Sequence, residues 1–271
     1  MSFEIFPPKR DSSLLNLNEI LYDLKKLKPD FISITFGAGG NSADITTCEI
    51  ANIVKQKFDI EPLIHLTCMH SSKKDIVQVL NYLQQNGLNN ILALRGDINP
   101  NITSKNDFKY ASDLISFIKG YGDFNISAAC YPEGHIESSS LADDILHLKE
   151  KIDSGASHLI SQLFFDNDYF YSFVEKVRFA GINVPIEAGI MPVVNKKQIE
   201  RMVSLCGASI PLKLQRILNK YENQSLRDAG IAYATEQIAD LISHNVEGIH
   251  LYTMNNPRIA EKICEGISSL I

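Results

Sequence analysis

The residues of this chain that could do chemistry are polar side chains set into otherwise apolar, β-branched runs. Glu4 lies between Phe3 and Ile5-Phe6 and is followed by Pro7-Pro8. A carboxyl group held among apolar side chains loses solvation of its charged form, so its pKa rises and it suits proton donation near neutral pH. By position alone, a terminal-strand carboxylate pointing into solvent fits Glu4 slightly better. Arg95-Gly96-Asp97 closes the run NNILALRGD. Gly lets a ligand approach the backbone, Arg offers a forked donor for phosphate and Asp a negative charge; a plain turn with a surface ion pair fits equally well. His65, inside PLIHLTC, reads first as a core histidine satisfied by its neighbours. Gln162 interrupts SQLFFD in mid-strand. Its carboxamide can donate to and accept from the amide edge of a pterin or nicotinamide, or it can satisfy backbone groups. Other run ends offer Thr35 with Gly37-Ala38-Gly39-Gly40, Thr67, Tyr131 with Glu133 and His135, and Tyr252-Thr253 with Asn255.

Several chemistries lack their residues. The five cysteines (Cys48, Cys68, Cys130, Cys206, Cys264) are scattered without ligand spacing, which reads as reduced, mostly buried thiols, and no metal site is expected. Glu133 and His135 in YPEGH make only a weak pair of ligands. No GxSxG is present, and no buried lone Lys ends a run, which argues against acyl-enzyme and Schiff-base chemistry. A net charge of −6 with no basic stripe makes nucleic acid and anionic membrane poor partners. The N-terminus lacks a signal-peptide layout, and no apolar run approaches the roughly 20 residues of a membrane span, so the chain is expected to be cytoplasmic.

Positioning these residues falls to eight apolar runs: Phe3–Phe6, Phe31–Phe36, Leu63–Cys68, Ile91–Leu94, Ile126–Tyr131, Leu159–Phe165, Ile186–Met191 and Ile249–Met254. Several are apolar on both faces, as strands covered by helices outside and a packed interior inside should be. Between them the apolar period is helical over Leu14–Leu27, Ile76–Leu83 and Leu141–Ile152, and strand starts recur about every 28 to 36 residues, one right-handed βα unit. The last interval is longer and predicts helices near Lys196–Leu205, Pro211–Tyr221 and Ser225–His244. Gly87, Gly155 and Gly181 mark helix ends. Length (271 residues), an apolar fraction of 45% and the lack of any linker predict an α/β fold, a (β/α)8 TIM barrel with residues 1–271 as a single domain. An open eight-stranded sheet is the alternative, weakened by the lack of an early GxGxxG.

The ordered set FEIFPP, ISITFGAGG, IHLTC, NILALRGD, YASDL, AACYPEGH, LKEKIDSGA, SQLFFD, GIMPV and HLYTMN closely resembles the methylenetetrahydrofolate reductase family, from Phe3 to about Asn255. The resemblance implies a flavin-binding barrel in which hydride passes from NADH or NADPH to FAD. The reduced flavin then converts 5,10-methylenetetrahydrofolate to 5-methyltetrahydrofolate, a ping-pong scheme supplying methyl groups for methionine synthesis. Glu4 matches the family's acid and Asp97 its aspartate between flavin and folate. Gln162 and Gln198 match substrate contacts. The implied flavin contacts are Thr35, Phe36, Ala38, His65, Leu94, Arg95, Gly96 and Asp97, then Tyr110, Ala111, Tyr131, His135, Asp144 and Lys151. Arg95 and Lys151 suit a pyrophosphate, and FAD carries the hydride while the protein supplies position and electrostatics.

Departures are local. The chain reads YTMNN where the family often has YTLNR, so Asn256 stands where an Arg is usual, with Arg258 nearby. Glu150 stands where some bacterial members have Arg, and GGNSADIT lacks an Arg often found there. The chain ends shortly after the eighth unit, without the regulatory domain of eukaryotic members, so inhibition by S-adenosylmethionine is not expected and NADH is the expected donor. It also lacks an extension before the first strand. A proline-dehydrogenase-like flavoprotein and a non-catalytic flavin or folate binding module are the competing readings, and a homo-oligomer is left open.

Overall fold

The alternation of apolar strand runs and amphipathic helices gives eight parallel strands whose neighbour order, β1 to β8, is that of a closed barrel. This computed structural model describes residues 1–8, 14–36, 45–97 and 104–270. The first four units are β1 (Ser2–Ile5), α1 (Leu14–Lys26), β2 (Phe31–Ile34), α2 (Ile45–Phe58), β3 (Glu61–Thr67), α3 (Lys73–Gln85), β4 (Asn90–Leu94) and α4 (Ala111–Tyr121). The rest are β5 (Asn125–Cys130), α5 (Leu141–Asp153), β6 (His158–Ser161), α6 (Asn167–Phe179), β7 (Ile186–Ile190), α7 (Lys196–Cys206), α8 (Leu212–Lys220), α9 (Asn223–Ser243), β8 (Gly248–Tyr252) and α10 (Pro257–Ile267). The long last interval holds the three expected helices. Gly87, Gly155 and Gly181 all take positive φ, as helix-terminating glycines do.

Two compact units make up the chain. One comprises Ser2–Ala129 and Glu150–Leu159; the other comprises Met1, Cys130–Lys149 and Ile160–Ile271. In the first, strand register sorts side chains into two faces. Phe3 and Ile5 share a face with Ile32, Ile34, Ile64, Ile91 and Ala93, and all of these are at most 1% exposed. This face packs under the helices and forms the apolar core, at roughly 25 cal/mol per Å² of apolar surface removed from water. The other face carries Glu4 beside Ser33, and His65 beside Leu92 and Ser127. The interior face is therefore not the apolar one that the sequence predicts: its polar residues alternate singly with apolar ones, which dilutes their signal.

Three predicted strands stop at least two residues early, β8 among them at Tyr252. β2 ends at Ile34, although the Thr35 N–H still donates to the Ile5 carbonyl at 3.0 Å. β6 ends at Ser161, and Leu163, Phe164 and Phe165 are buried without being strand. The reason lies on α9. Gln237 Nε2 donates to the Phe164 carbonyl at 3.0 Å, and the Tyr233 hydroxyl to the Phe165 carbonyl at 2.5 Å, so side chains replace the ladder partners. Gly37–Gly40, with the expected cofactor contact Ala38, lie outside the described residues.

Candidate active site

Glu4 stands one residue before the end of β1, and its side chain does not reach into solvent. The Glu4 Oε2 atom lies 3.5 Å from His65 Nε2, with the two side chains 17% and 9% exposed. A carboxyl group and an imidazole at that distance form an ion pair when the imidazole is protonated, and a water-excluded surrounding strengthens their coupling. His65 is buried, as the core reading expected, but the group it faces is the candidate acid. Thr35 and Phe36, just past β2, are half-buried.

The turn after β4 is built by its neighbours. The N–H groups of Cys68 and Met69 donate to the Arg95 carbonyl at 3.2 and 2.8 Å, zipping the end of β3 onto it. Gly96 takes φ +84, and a Cβ there would meet Thr67 Cβ at 3.0 Å, so this turn requires glycine. Leu94, Arg95 and Gly96 are half-buried and Asp97 is exposed, its carbonyl 3.2 Å from His70 Nε2. Tyr110 and Ala111 are held separately. The Asp113 carboxylate accepts from the Lys109 and Tyr110 N–H groups at 2.8 and 2.9 Å at the start of α4. Burial, reinforced by Asp113, pushes the Cys68 thiol up to about 12, so it is an inert packing group. Lys151 belongs to this unit too, its Nζ donating to the Ala129 carbonyl at the end of β5 at 3.0 Å.

The loop between β5 and α5 is organised by its own polar groups. Tyr131 and His135 meet edge to face, ring centroids 4.7 Å apart. The Glu137 N–H donates to His135 Nδ1 at 3.2 Å, and the Ser138 hydroxyl to Asp144 Oδ1 at 2.9 Å. Asp144 is 6% exposed, buried with that hydroxyl as donor. Both Glu133 oxygens accept from the Ser209 N–H, at 3.1 and 2.9 Å, which straps this loop to the segment after α7.

Gln162 stands one residue past β6, not in mid-strand. Its N–H donates to the Cys130 carbonyl at 2.7 Å, and its Oε1 accepts from the Leu163 N–H at 2.9 Å. The amide orientation that follows leaves its NH2 to act as a donor. Gln198 is half-buried in the first turn of α7, where Asn195 Oδ1 accepts from its N–H at 3.1 Å. Asn256 stands at the N-cap position of α10 without a side-chain capping bond and is half-buried, while Arg258 is exposed.

Two features escaped the sequence. Met254 and Asn255 both take positive φ, 52 and 54 degrees, directly after β8. Consecutive left-handed non-glycine residues are uncommon and collect at functional sites; the YTMNN string carries no signal of them beyond its Asn pair. The second is a further buried pair, His250 Nδ1 at 3.9 Å from Glu187 Oε2, with exposures of 0% and 14%. These residues are far apart in sequence and only register brings them together. Among the described residues no cluster of His, Cys, Asp or Glu could hold a metal ion, and no helix is long and apolar enough to cross a membrane.

A parallel barrel with acid, amide and cationic side chains at the carboxyl ends of its strands has the organisation that barrel enzymes use. The chain belongs to the methylenetetrahydrofolate reductase family, whose sequence pattern it matches over residues 1–268. It is 39% identical to "Methylenetetrahydrofolate reductase (NADH) 1" of Arabidopsis thaliana across 94% of this chain, but spans only 46% of that protein. It is thus about half the length of its plant relatives. It is 34% identical to the "5,10-methylenetetrahydrofolate reductase" of Escherichia coli (strain K12), covering 97% of this chain and 89% of that protein. A Clostridium thermocellum protein described as binding two copies of 5-methyl-5,6,7,8-tetrahydrofolic acid superposes with a TM-score of 0.66. That match covers 99% of this chain and 94% of the other; at 16% identity it is a likeness of fold.

Proposed function

We propose that this chain reduces 5,10-methylenetetrahydrofolate to 5-methyltetrahydrofolate with NADH or NADPH, through bound FAD in a ping-pong cycle. The product would supply methyl groups for methionine synthesis in the cytoplasm. The observation that carries this reading is Glu4 facing His65 at 3.5 Å near the carboxyl end of β1, in a chain of this family. FAD, when bound, accepts hydride from the nicotinamide and passes it to the folate.

The residues present fit that group. Arg95 and Lys151 supply cations for its pyrophosphate. The turn at Gly96 keeps a side chain from the backbone where a ring system would approach. Glu4 gives its proton to the folate amine that leaves the methylene carbon when the five-membered ring opens. That carbon, now an iminium on the other nitrogen, takes hydride and becomes the methyl group. In sum, one NAD(P)H and one proton are consumed. Asp97 stabilises the cationic iminium through its charge. Gln162, with its NH2 free to donate, holds a carbonyl acceptor on the bound ring. Between turnovers Glu4 takes up a proton from solvent again through His65.

Anaerobic titration of the purified protein with NADH, followed by methylenetetrahydrofolate, tests the reading. The flavin absorbance should bleach and then return. A colourless protein that FAD cannot reconstitute, or a yellow one that never bleaches, would sink it.

A further inference from the structure

A pocket of about 340 Å³ opens at the amino ends of β2 to β6, the opposite ends of these strands from His65 and Asp97. Such a volume lies at the small end of the ~300–1,000 Å³ range of ligand pockets. Nothing in the proposed reaction uses it. Its rim is formed by the first residues of five strands: Phe31, Glu61, Asn90, Asn125 and His158, with Leu63 deeper on β3.

The polar part of the lining is a ladder with one direction. Asn125 Nδ2 donates to Asn90 Oδ1 at 2.9 Å, and Asn90 Nδ2 donates to Glu61 Oε2 at 3.3 Å. Lys55 Nζ, outside the lining, lies 3.3 Å from Glu61 Oε1 and 3.4 Å from its Oε2. Both carboxamides spend an N–H along the ladder, so Asn125 keeps its carbonyl oxygen as an acceptor. Asp30 adds a second carboxylate, and among the described residues no Lys or Arg lines the pocket. The aromatic part is a corner: Phe31 and His158 meet edge to face with centroids 6.3 Å apart, and His158 Nδ1 lies 3.1 Å from the Ser127 hydroxyl. Acceptors and negative charge over apolar, aromatic walls select a flat ring that carries N–H donors and positive charge.

We infer that this pocket binds a planar, amino-bearing nitrogen heterocycle of one or two rings in its protonated form. The assignment stands on the pocket alone and is separate from the folate reading. On β3, Glu61 and His65 share a face four residues apart, about 13 Å along the strand, so an occupant here leaves the Glu4–His65 pair uncovered.

Benzamidine, a flat cation with a fork of N–H donors, and benzoate, its anionic counterpart, separate the chemistry from mere shape. Each is titrated into the 15N-labelled chain while the side-chain amide signals of Asn90 and Asn125 are followed. Benzamidine should shift both signals saturably and benzoate should not. Glu61→Gln should weaken binding by about tenfold and the exposed-site variant Asn125→Ala by about threefold, both with native far-UV circular dichroism. Adding 5-methyltetrahydrofolate should leave benzamidine affinity unchanged. No saturation up to roughly 10 mM, equal binding of the two probes, indifference to both substitutions, or competition by the folate each overturns the assignment.

Discussion

Two carboxylate–histidine pairs of identical residue types sit at different heights on their strands. Glu4 is the third residue of four-residue β1, and the chain beyond it runs directly into Phe6-Pro7-Pro8. Glu187 is the second residue of five-residue β7, with its side chain folded over its register partner Gly248, where a Cβ would meet Glu187 Cγ at 2.7 Å. His65 is 7% exposed, whereas His250 is wholly buried and packs edge to face on Tyr252 at 5.4 Å. In barrel enzymes catalytic groups sit at the carboxyl ends of the strands. Height on the strand, not composition, thus distinguishes the pair proposed to donate a proton from the pair proposed to pack.

The largest expected effect breaks the comparison at its first member. Glu4→Gln keeps the shape of the side chain but removes the transferable proton. Folate reduction should fall by at least about 10²-fold, the usual worth of a positioned acid, while flavin bleaching by NADH and thermal stability hold. Normal folate turnover would remove Glu4 from the mechanism. The same substitution at the second pair should do the reverse. Glu187→Gln should leave both half-reactions within about twofold and cost roughly 1–3 kcal/mol of stability, the penalty for mismatching a buried polar partner. Thermal denaturation with parallel activity assays decides this; a collapse of activity at native stability would make the pairs functional equals.

Asp97→Asn sharpens the contrast between proton transfer and charge. Asp97 is exposed on its turn, so its proposed role is electrostatic alone. The folate half-reaction should slow by about tenfold with no change in its pH profile. Stopped-flow traces at several pH values would show this, and an unaltered rate would leave Asp97 without a catalytic part.

Much of this was legible in the sequence, and for identifiable reasons. Strand and helix periodicity placed the eight units because each strand's covered face is uniformly apolar, as Ile32, Ile34, Ile64 and Ile91 show. Gly96 and Asp97 stood out because a polar cluster ending an apolar run is locally visible. Gln162 was misplaced by one structural state, since buried Phe164 and Phe165 look like strand until Gln237 and Tyr233, some 70 residues away, take their carbonyls. The approach of Glu4 to His65 and of Glu187 to His250 was hidden altogether. Pairs made by register across strands leave no local pattern, and His65 read alone is only a histidine in a core.

The smallest effect provides the reference for a carboxylate whose work is purely structural. Asp75 lies in the first turn of α3, where its side chain accepts from the Ser72 N–H and hydroxyl at 2.8 Å each, while Ser72 Oγ accepts in return from the Asp75 N–H at 3.2 Å. The Ser72 backbone donor, against some desolvation and with help from its hydroxyl and nearby lysines, holds this carboxyl below the usual range. A folded-state pKa lowered in this way stabilises the protein above the unfolded value of about 3.9 and ceases to do so as pH falls through the folded one. Asp75→Ala should therefore cost about 0.5–1 kcal/mol at pH 7, an ordinary helix-cap loss, and the variant and parent should converge in chemical denaturation as pH drops below about 4. A gap that persists undiminished in acid would mean that Asp75 acts through packing rather than charge. A deficit at Glu4→Gln that appears in turnover but not in such a denaturation series would then be chemical in origin, since the same assay registers a structural carboxylate.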